Sequence, residues 1–267
     1  MEVRILLVFG FTIIIHMIST LAYSVKLVGI KTGRIAVTIA LFNVLALVSR
    51  MANALQAPFL AKFVESDVPG LNEGNIVYYF VFLISGAAAG TLAGGIMTPT
   101  FQRALGKLVQ RFNVDKSVPK LVYYTFTQFG LQQLKDNIAV PSKKNIEHFK
   151  DFKKLPRKRI IANSFVVALL TVGSFAALYA ASIAPDLRLT SSAMASLIIG
   201  IATIILVIFI DPYLSMLTDD IINGKNSIVN FHRVVVWLVI SRFAGSLMAL
   251  FLFIPCAYLI IWVAKLI

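Results

Sequence analysis

The sequence is poor in charge and holds few side chains suited to metal or redox chemistry. Only 14% of its 267 residues are charged and 58% are hydrophobic, whereas soluble domains carry roughly 25% charged residues. A chain with so little polar surface cannot cover a water-soluble fold, so its apolar excess must face lipid. Its single cysteine, Cys256, cannot form an intramolecular disulfide and is expected to pack as a small hydrophobe.

Motifs of the common enzyme classes are also missing. The chain has no GxSxG, no HExxH and no phosphate-binding P-loop, and Asp219-Asp220 is a single acidic pair rather than the repeated motif that holds magnesium for prenyl chemistry. Its three histidines, His16, His148 and His232, suggest no metal site by their spacing. We therefore predict a protein that is not an enzyme and needs neither a cofactor nor a metal.

Long uncharged runs make up most of the chain. A bilayer core about 30 Å thick requires about 20 apolar helical residues. We predict an all-α, polytopic membrane protein with six transmembrane helices, at Val3–Tyr23, Ile35–Leu60, Ile76–Met97, Ile160–Ile183, Ala193–Leu217 and Val234–Val263. This divides the chain into helices 1–3 (residues 1–97), a basic loop (98–159) and helices 4–6 (160–267).

The positive charge is concentrated in that loop. Between Thr98 and Arg159 there are 14 lysines and arginines against four acidic residues, which accounts for ten of the 13 net charges. Because cytoplasmic flanks are enriched in lysine and arginine, we predict a cytoplasmic loop and an outward N-terminus. The 218–233 loop has balanced charges, so its own composition does not fix its side.

The basic loop is predicted to contain amphipathic helices that lie on anionic membrane lipids. Thr98-Pro99 is typical of a helix start. Four apolar residues then share one face of that helix, with basic and polar residues elsewhere: Phe101, Leu105, Leu108 and Phe112. Ser117–Asp136 is predicted as a second such helix, and the lysine-rich Ser142–Arg159 is predicted to contact the inner leaflet.

Two arginines lie at membrane depth, where an unpaired charge costs about 2.5–3.5 kcal/mol. Arg50 belongs to a stripe with Asn53 and Gln56 on the second helix, and Arg242 lies inside the sixth. A structural interpretation is a clamp between helices, with Arg50 paired to Asp211 or to carbonyl groups at a helix end. A functional interpretation is that both arginines face a cavity and bind an anion.

Other intramembrane features have structural and functional interpretations as well. His16, Thr20 and Tyr23 share a face of the first helix, and His16 fits either a hydrogen-bonded core residue or a substrate contact. The third helix has glycines at four-residue spacing, which predicts close helix packing, at Gly86, Gly90 and Gly94. Asp211-Pro212 predicts a break in the fifth helix.

A known family shares the pattern between His16 and Val64. The segment resembles the amino-terminal signature of the Amj family, the alternate lipid II flippases of bacteria. The length of the chain and its six predicted spans also fit that family. The motifs that carry the resemblance are Thr20-Leu21-Ala22-Tyr23, Gly29-x-Lys31-Thr32, Phe42-Asn43 and Ser49-Arg50-x-x-Asn53-x-x-Gln56-Ala57-Pro58.

The resemblance implies movement of a lipid-linked peptidoglycan precursor, an undecaprenyl-pyrophosphate-linked disaccharide peptide, from the inner to the outer leaflet of the bacterial plasma membrane. On this hypothesis Arg50 and Arg242 bind the pyrophosphate, while Asn53 and Gln56 bind sugar or phosphate groups. The remaining expected contacts are Lys26, Lys31 and Arg34 at the inner face and His16, Tyr23 and Asp211 within the membrane. The expected partners are this precursor and anionic lipids, with no nucleic acid and no identified protein partner.

Two alternatives remain open on the sequence alone. The chain would also suit an ion-coupled secondary transporter of a small anionic solute, with the same arginines binding that solute. It would suit a non-transporting membrane scaffold whose basic loop recruits a cytoplasmic partner. Neutralising Arg50 and Arg242 separates the two, since a scaffold would tolerate the change and a transporter would not.

Overall fold

The described part of the chain is helical throughout its regular structure and has no strand. A computed structural model describes residues 3–65, 73–115, 123, 127–139 and 155–267. The helices are α1 (Val3–Thr32), α2 (Ile35–Glu65), α3 (Glu73–Asp115), α4 (Gln128–Asp136), α5 (Arg157–Ile183), α6 (Arg188–Ile205), α7 (Asp211–Ile222) and α8 (Ile228–Ala264). A 3-10 turn, Pro185–Leu187, precedes α6, and a π-helical turn, Leu206–Ile210, joins α6 to α7.

Six stretches among these residues are long and apolar enough to cross a membrane. They are Val3–Thr32, Ile35–Glu65, Ile76–Gln110, Arg157–Ile183, Pro185–Ile222 and Ile228–Ala264. Each contains one of the predicted spans, so the all-α, six-span fold class is confirmed. α1 packs against α2 and α3, α5 packs against α6 and α8, and α8 joins the two groups through α1 and α3.

The glycine seam of α3 lies against α1, as its spacing predicted. A Cβ atom at Gly90 would lie 2.8 Å from the Cα of Ile13 and would collide with the carbonyl oxygen of the same residue. At Gly94 it would lie 2.9 Å from the carbonyl oxygen of Met17. Because these neighbours are backbone atoms, they cannot turn aside, and the close packing of α1 and α3 requires glycine here.

Gly90→Ala is therefore expected to destabilise the protein by about 1–3 kcal/mol, the usual cost of overpacking. Thermal unfolding of the purified protein in detergent measures the effect. Gly10→Ala is the matched control, because nothing lies within 4 Å of a Cβ atom at that α1 position. Equal unfolding temperatures for the two variants would contradict the close packing of α3 against α1 at Gly90.

The helix start predicted at Thr98-Pro99 is wrong, because α3 continues through both residues to Asp115. The Thr98 hydroxyl donates to the carbonyl of Gly94, 2.8 Å away within the same helix, instead of capping a new one. Proline lacks an amide hydrogen and is tolerated inside membrane helices when neighbouring groups satisfy the backbone. The sequence pattern of a helix start and that of a proline inside a continuous helix are alike.

The apolar face that follows Pro99 packs on protein, which corrects the prediction that it lies on lipid headgroups. Phe101, Leu105 and Leu108 are buried against apolar side chains of α1 and α2. A 3.6-residue period shows that a helix has an apolar face but does not show what covers it. Of the second predicted helix, only Gln128–Asp136 (α4) is described as a helix. Residues 117–122, 124–126 and 142–154 lie outside the described part of the chain.

The predicted break at Asp211-Pro212 takes the form of a change in helical winding. The π-helical turn Leu206–Ile210 ends immediately before Asp211, and Pro212 lies in the first turn of α7, where its missing amide hydrogen costs least. The fifth span is therefore continuous but irregular at this point. Such π turns are frequent at functional sites.

The apolar core is shared at one end of the bundle and divided at the other. At the shared end, the Phe80 ring packs tilted against Phe253 at 5.4 Å and edge-to-face against Tyr179 at 5.8 Å between ring centroids. This set, with Phe175, is called the aromatic cluster. At the opposite end, one cluster joins α1, α2 and α3 and another joins α1, α7 and α8. α1 contributes to both clusters and so lies between two separately packed units.

Candidate functional site

Polar side chains form a stripe along α1 between these two ends of the core. They recur at alternating steps of four and three residues, which keeps them on one side of a helix; this α1 stripe consists of Thr12, His16, Ser19, Tyr23 and Lys26. All are buried except Ser19, which is partly buried. At about 1.5 Å per residue, the stripe covers about 21 Å of a hydrocarbon core that is about 30 Å thick.

One flank of the α1 stripe is covered by α2. The side-chain oxygens of Ser19 and Ser49 are 2.8 Å apart and share a hydrogen bond, and the amide nitrogen of Gln56 donates to the Thr12 hydroxyl at 2.9 Å. Neutral hydrogen bonds between membrane helices contribute only about 0.6 kcal/mol on average. The polar contacts that join α2 to the stripe are therefore weak enough to break and re-form.

The predicted stripe on α2 does not act as one surface. Gln56 is buried against α1, Asn53 is half-buried and Arg50 is exposed at the surface of the bundle. Residues spaced by three drift about 60° around a helix at each step, because 3.6 residues make one turn. Arg50 and Gln56 therefore point to different sides of α2, and the residue beside Arg50, Ser49, reaches α1 instead.

The other flank of the α1 stripe is formed by α8, where Arg242 is buried with 6% of its surface exposed. Its guanidinium lies over the Tyr23 ring, 5.5 Å from the centroid, and its charge acts on His16. Its Nε has no hydrogen-bond partner among the described residues. Among the described residues no carboxylate forms an ion pair with this guanidinium, so its buried charge is poorly compensated, which favours the binding of an anion.

Asn163 on α5 holds this region together, and sequence reasoning missed it. Its side-chain oxygen accepts a hydrogen bond from the Tyr23 hydroxyl at 2.9 Å. Its amide nitrogen donates to the Ser241 hydroxyl at 2.7 Å and to the carbonyl of Leu238 at 3.2 Å. One fully buried side chain thus joins α1, α5 and α8 beside Arg242. The available signal was an asparagine one turn inside an otherwise apolar span.

Asn163→Leu keeps the side-chain volume and removes all three hydrogen bonds. We expect a loss of roughly 1–3 kcal/mol of stability, since membrane hydrogen bonds are worth about 0.6 kcal/mol on average and at most about 1.7. Thermal unfolding in detergent is the measurement. Ser164→Ala is the control, because the Ser164 hydroxyl bonds only to Ile160 in its own helix. An unchanged unfolding temperature for Asn163→Leu would refute this structural role.

Lys26 ends the α1 stripe in contact with α7 and α2. Its Nζ lies 3.5 Å from the carbonyl oxygen of Asp211 and 3.4 Å from the Ser215 hydroxyl, and 5.2 Å from the ring centroid of Phe42. The carboxylate of Asp211 lies within electrostatic range of both Lys26 and Arg50. One carboxylate can compensate only one of these two cations, so the group carries a net positive charge.

The predicted clamp between Arg50 and Asp211 is not formed at contact distance. Among the described residues, the ion pair within 4.0 Å joins Lys62 to Glu65 at 3.6 Å on the surface of α2. Lys31 and Arg34, the other two cations predicted at the inner face, are exposed near the α1–α2 connection. That connection turns at Gly33, whose φ of 68° suits glycine. In the described ranges, no three histidine, cysteine or acidic side chains are grouped to hold a metal.

Fold and site together define a six-span helical membrane protein with a buried polar stripe, flanked by one uncompensated arginine and by a lysine–aspartate–arginine group at the divided end. The sequence model of the family described as "Amj: Alternate to MurJ" matches residues 11–264. The "Lipid II flippase Amj" of Bacillus subtilis (strain 168) is 37% identical over 98% of this chain and 97% of its own length. No solved structure matches the chain.

The chain belongs to the Amj family. The match covers nearly the whole chain, so it includes α5 to α8 as well as the amino-terminal segment that carries the resemblance noted from the sequence. The family resemblance drawn from that segment is therefore confirmed.

Proposed function

We propose that this protein is a lipid II flippase, which moves the undecaprenyl-pyrophosphate-linked peptidoglycan precursor from the inner to the outer leaflet of the bacterial plasma membrane. Its 37% identical relative bears that name. The observation that carries the proposal is the α1 stripe with Arg242 beside it. The reaction is transport, and no covalent step is assigned to the chain.

The polarity and length of the α1 stripe suit the passage of a polar headgroup through the hydrocarbon core. The headgroup of lipid II is anionic and rich in hydroxyls, so moving it through hydrocarbon without polar contacts costs far more than thermal energy. A polar path about 21 Å long covers most of the depth that must be crossed. The polyprenyl tail needs no such path and stays in lipid.

Charge along the path is arranged for a pyrophosphate. Lys26 lies at the divided end of the core, and Arg50 follows Ser49, the partner of Ser19 in the middle of the α1 stripe; the Asp211 carboxylate lies within electrostatic range of both cations. Arg242 lies between these two levels, over the ring of Tyr23, and its charge reaches His16. An arriving pyrophosphate replaces Asp211 as the partner of Lys26 and Arg50, and it then finds the unpaired Nε of Arg242, because arginine forms strong charge-assisted hydrogen bonds with phosphate oxygens.

α2 acts as the gate of this path. It is joined to α1 by three neutral hydrogen bonds, Ser19–Ser49, Ser49 to the carbonyl of Ile15, and Gln56–Thr12, so separating the helices costs little polar energy. The shared core with its aromatic cluster closes the opposite end. The structure is thus tightly packed at one end and divided at the other, as alternating access requires of one of its two states.

The topology follows from the charges. The divided end carries Lys31, Arg34 and the start of the basic 98–159 region, and lysine and arginine favour the cytoplasmic side. On this assignment the N-terminus is outside, the divided end faces the cytoplasm and the aromatic cluster faces outward. Lys31 and Arg34 then raise the local concentration of anionic headgroups at the mouth of the path.

The proposal is tested in bacteria depleted of their resident lipid II flippase. Outer-leaflet lipid II is measured with an added enzyme that cleaves exposed lipid II and cannot enter cells. We expect this protein to restore both cleavage and growth. If it inserts normally and restores neither, the flippase proposal fails; a gradient-dependent uptake of a small anion in the same cells would then favour the solute-transporter alternative.

A further inference from the structure

A second polar site lies on the other side of α1. It is a pocket of about 550 Å³ between the end of α1, the part of α3 that follows Pro99 and the residue after α4. Its wall on α1 includes Val28 and Lys31, which lie two and five residues beyond Lys26. At 3.6 residues per turn these positions face away from the α1 stripe. The pocket therefore opens on a different side of α1 from the proposed transport path, and Lys31, at the mouth of that path, is the residue that the two sites share.

The lining of the pocket is suited to an anion with hydroxyl groups. Three cations, Lys31, Arg103 and Lys107, line it together with the side-chain amides of Gln102 and Gln110, and no acidic residue is among its described lining residues. The amide nitrogen of Gln102 is buried and has no hydrogen-bond partner in the described part of the chain. Because unpaired buried donors are rare and costly, this nitrogen is a donor held ready for a ligand oxygen.

The wall opposite α1 is held in place by a local clamp. The Thr100 hydroxyl accepts a hydrogen bond from the backbone nitrogen of Ala139 at 3.0 Å and donates to its carbonyl at 3.1 Å. This fixes the segment after α4 on α3 and places Asn137 at the pocket. The pocket is thus formed by three elements, with the buried Asn137 and the half-buried Gln102 in its wall and the exposed cations Lys31, Arg103 and Lys107 around it.

We propose that this pocket binds the phosphate headgroup of an anionic phospholipid from the adjacent leaflet, separately from the transported lipid. The cations neutralise the phosphodiester, the amides bind headgroup hydroxyls, and the acyl chains stay beside α1 and α3. Basic pockets between membrane helices on the cytoplasmic side are typical sites for such headgroups. A volume of about 550 Å³ accommodates a headgroup. The inference does not depend on the flippase proposal.

Gly106 makes the pocket easy to fill without changing charge. It lines the pocket, and a Cβ atom there would meet no atom of the described residues within 4 Å. Gly106→Leu therefore occupies the binding space while improving helix propensity. Gly200→Leu is the matched control, a helix-interior glycine on α6 that also has nothing within 4 Å. Arg103→Gln and Lys107→Gln remove pocket charges, and the exposed Lys225 supplies a charge-matched control in Lys225→Gln.

The experiment uses the purified full chain in micelles containing equimolar phosphatidylglycerol and phosphatidylcholine, with bound lipid counted by native mass spectrometry. We expect the wild-type protein to retain phosphatidylglycerol preferentially. Gly106→Leu is expected to abolish that preference, and each charge removal is expected to lower it about fivefold. Gly200→Leu and Lys225→Gln should behave as wild type. Thermal unfolding verifies that every variant is folded.

Three results would overturn the proposal. The first is a wild-type protein that binds the two phospholipids equally, and the second is a Gly106→Leu protein that keeps the preference. The third is displacement of phosphatidylglycerol by a small mole fraction of added lipid II, with lipid II binding itself lost in Gly106→Leu; the pocket would then belong to the transported lipid. Flipping is measured separately, so failure here leaves the flippase proposal intact, and failure of flipping leaves this binding result intact.

Discussion

A disulfide between positions 19 and 49 is expected to stop flipping, and its reduction is expected to restore it. The serine oxygens at these positions are 2.8 Å apart, and a disulfide needs its sulfurs about 2.05 Å apart. Ser19→Cys/Ser49→Cys therefore replaces a weak hydrogen bond by a covalent bond that holds α2 on the α1 stripe. Because the gate must open for the headgroup to pass, we expect the oxidised protein to lose nearly all transport activity.

The disulfide between positions 19 and 49 can be tested against simple controls. Cys256 is the single cysteine of the chain, so Cys256→Ala gives a cysteine-free background in which the pair reacts alone. Each single-cysteine variant, exposed to the same oxidant, should transport as before. Full flipping by the completely oxidised double variant would mean that α2 stays on α1 throughout the cycle, and the gate assigned to α2 would be wrong.

Arg242→Gln is expected to slow flipping by at least about tenfold. A hydrogen bond to a charged group contributes about 1.5–3 kcal/mol, and about 1.4 kcal/mol corresponds to a factor of ten. Glutamine also removes the buried positive charge that compensates the pyrophosphate at depth. The transport rate in vesicles that contain the purified variant is the measurement.

Misfolding does not explain this expected loss. Removing an arginine from the membrane interior lowers the cost of insertion, so Arg242→Gln should reach normal abundance in the membrane. Arg242→Lys retains the charge without the planar donor set and should fall between the wild type and Arg242→Gln. Arg188→Gln, an equivalent change at an exposed residue of α6, should have no effect. A wild-type rate in Arg242→Gln would remove Arg242 from the path.

The spans were predictable because bilayer thickness fixes the length of an apolar run. Each predicted window lies inside one of the six observed spans. What covers each apolar face was not predictable in the same way. The face of α3 that carries Phe101 and Leu105 has the period of an interfacial helix, yet it packs against α1 and α2. The spacing of apolar residues shows that a helix has one apolar side, whereas the element that packs against that side depends on the tertiary structure.

The site was partly predictable for a related reason. His16 and Tyr23 were expected on one face of α1; Tyr23 lies beside Arg242, and His16 is within electrostatic range of it. The same four-and-three spacing extends to Thr12, Ser19 and Lys26, so the full α1 stripe can be predicted from the sequence. Asn163 has no such periodic signal, because its importance comes from two helices that are far away in sequence. Arg50 was expected to share a surface with Gln56, and helical drift separates them.

Whether this protein flips lipid II is tested most directly in vesicles that contain only the purified protein and lipid II. The share of lipid II that an added, membrane-impermeant cleaving enzyme can reach is followed with time. With the wild-type protein we expect nearly all lipid II to become accessible. With the oxidised Ser19→Cys/Ser49→Cys protein and in protein-free vesicles, accessibility should stay at the outer-leaflet share. Equal accessibility with and without the correctly folded wild-type protein would show that this protein is not a lipid II flippase.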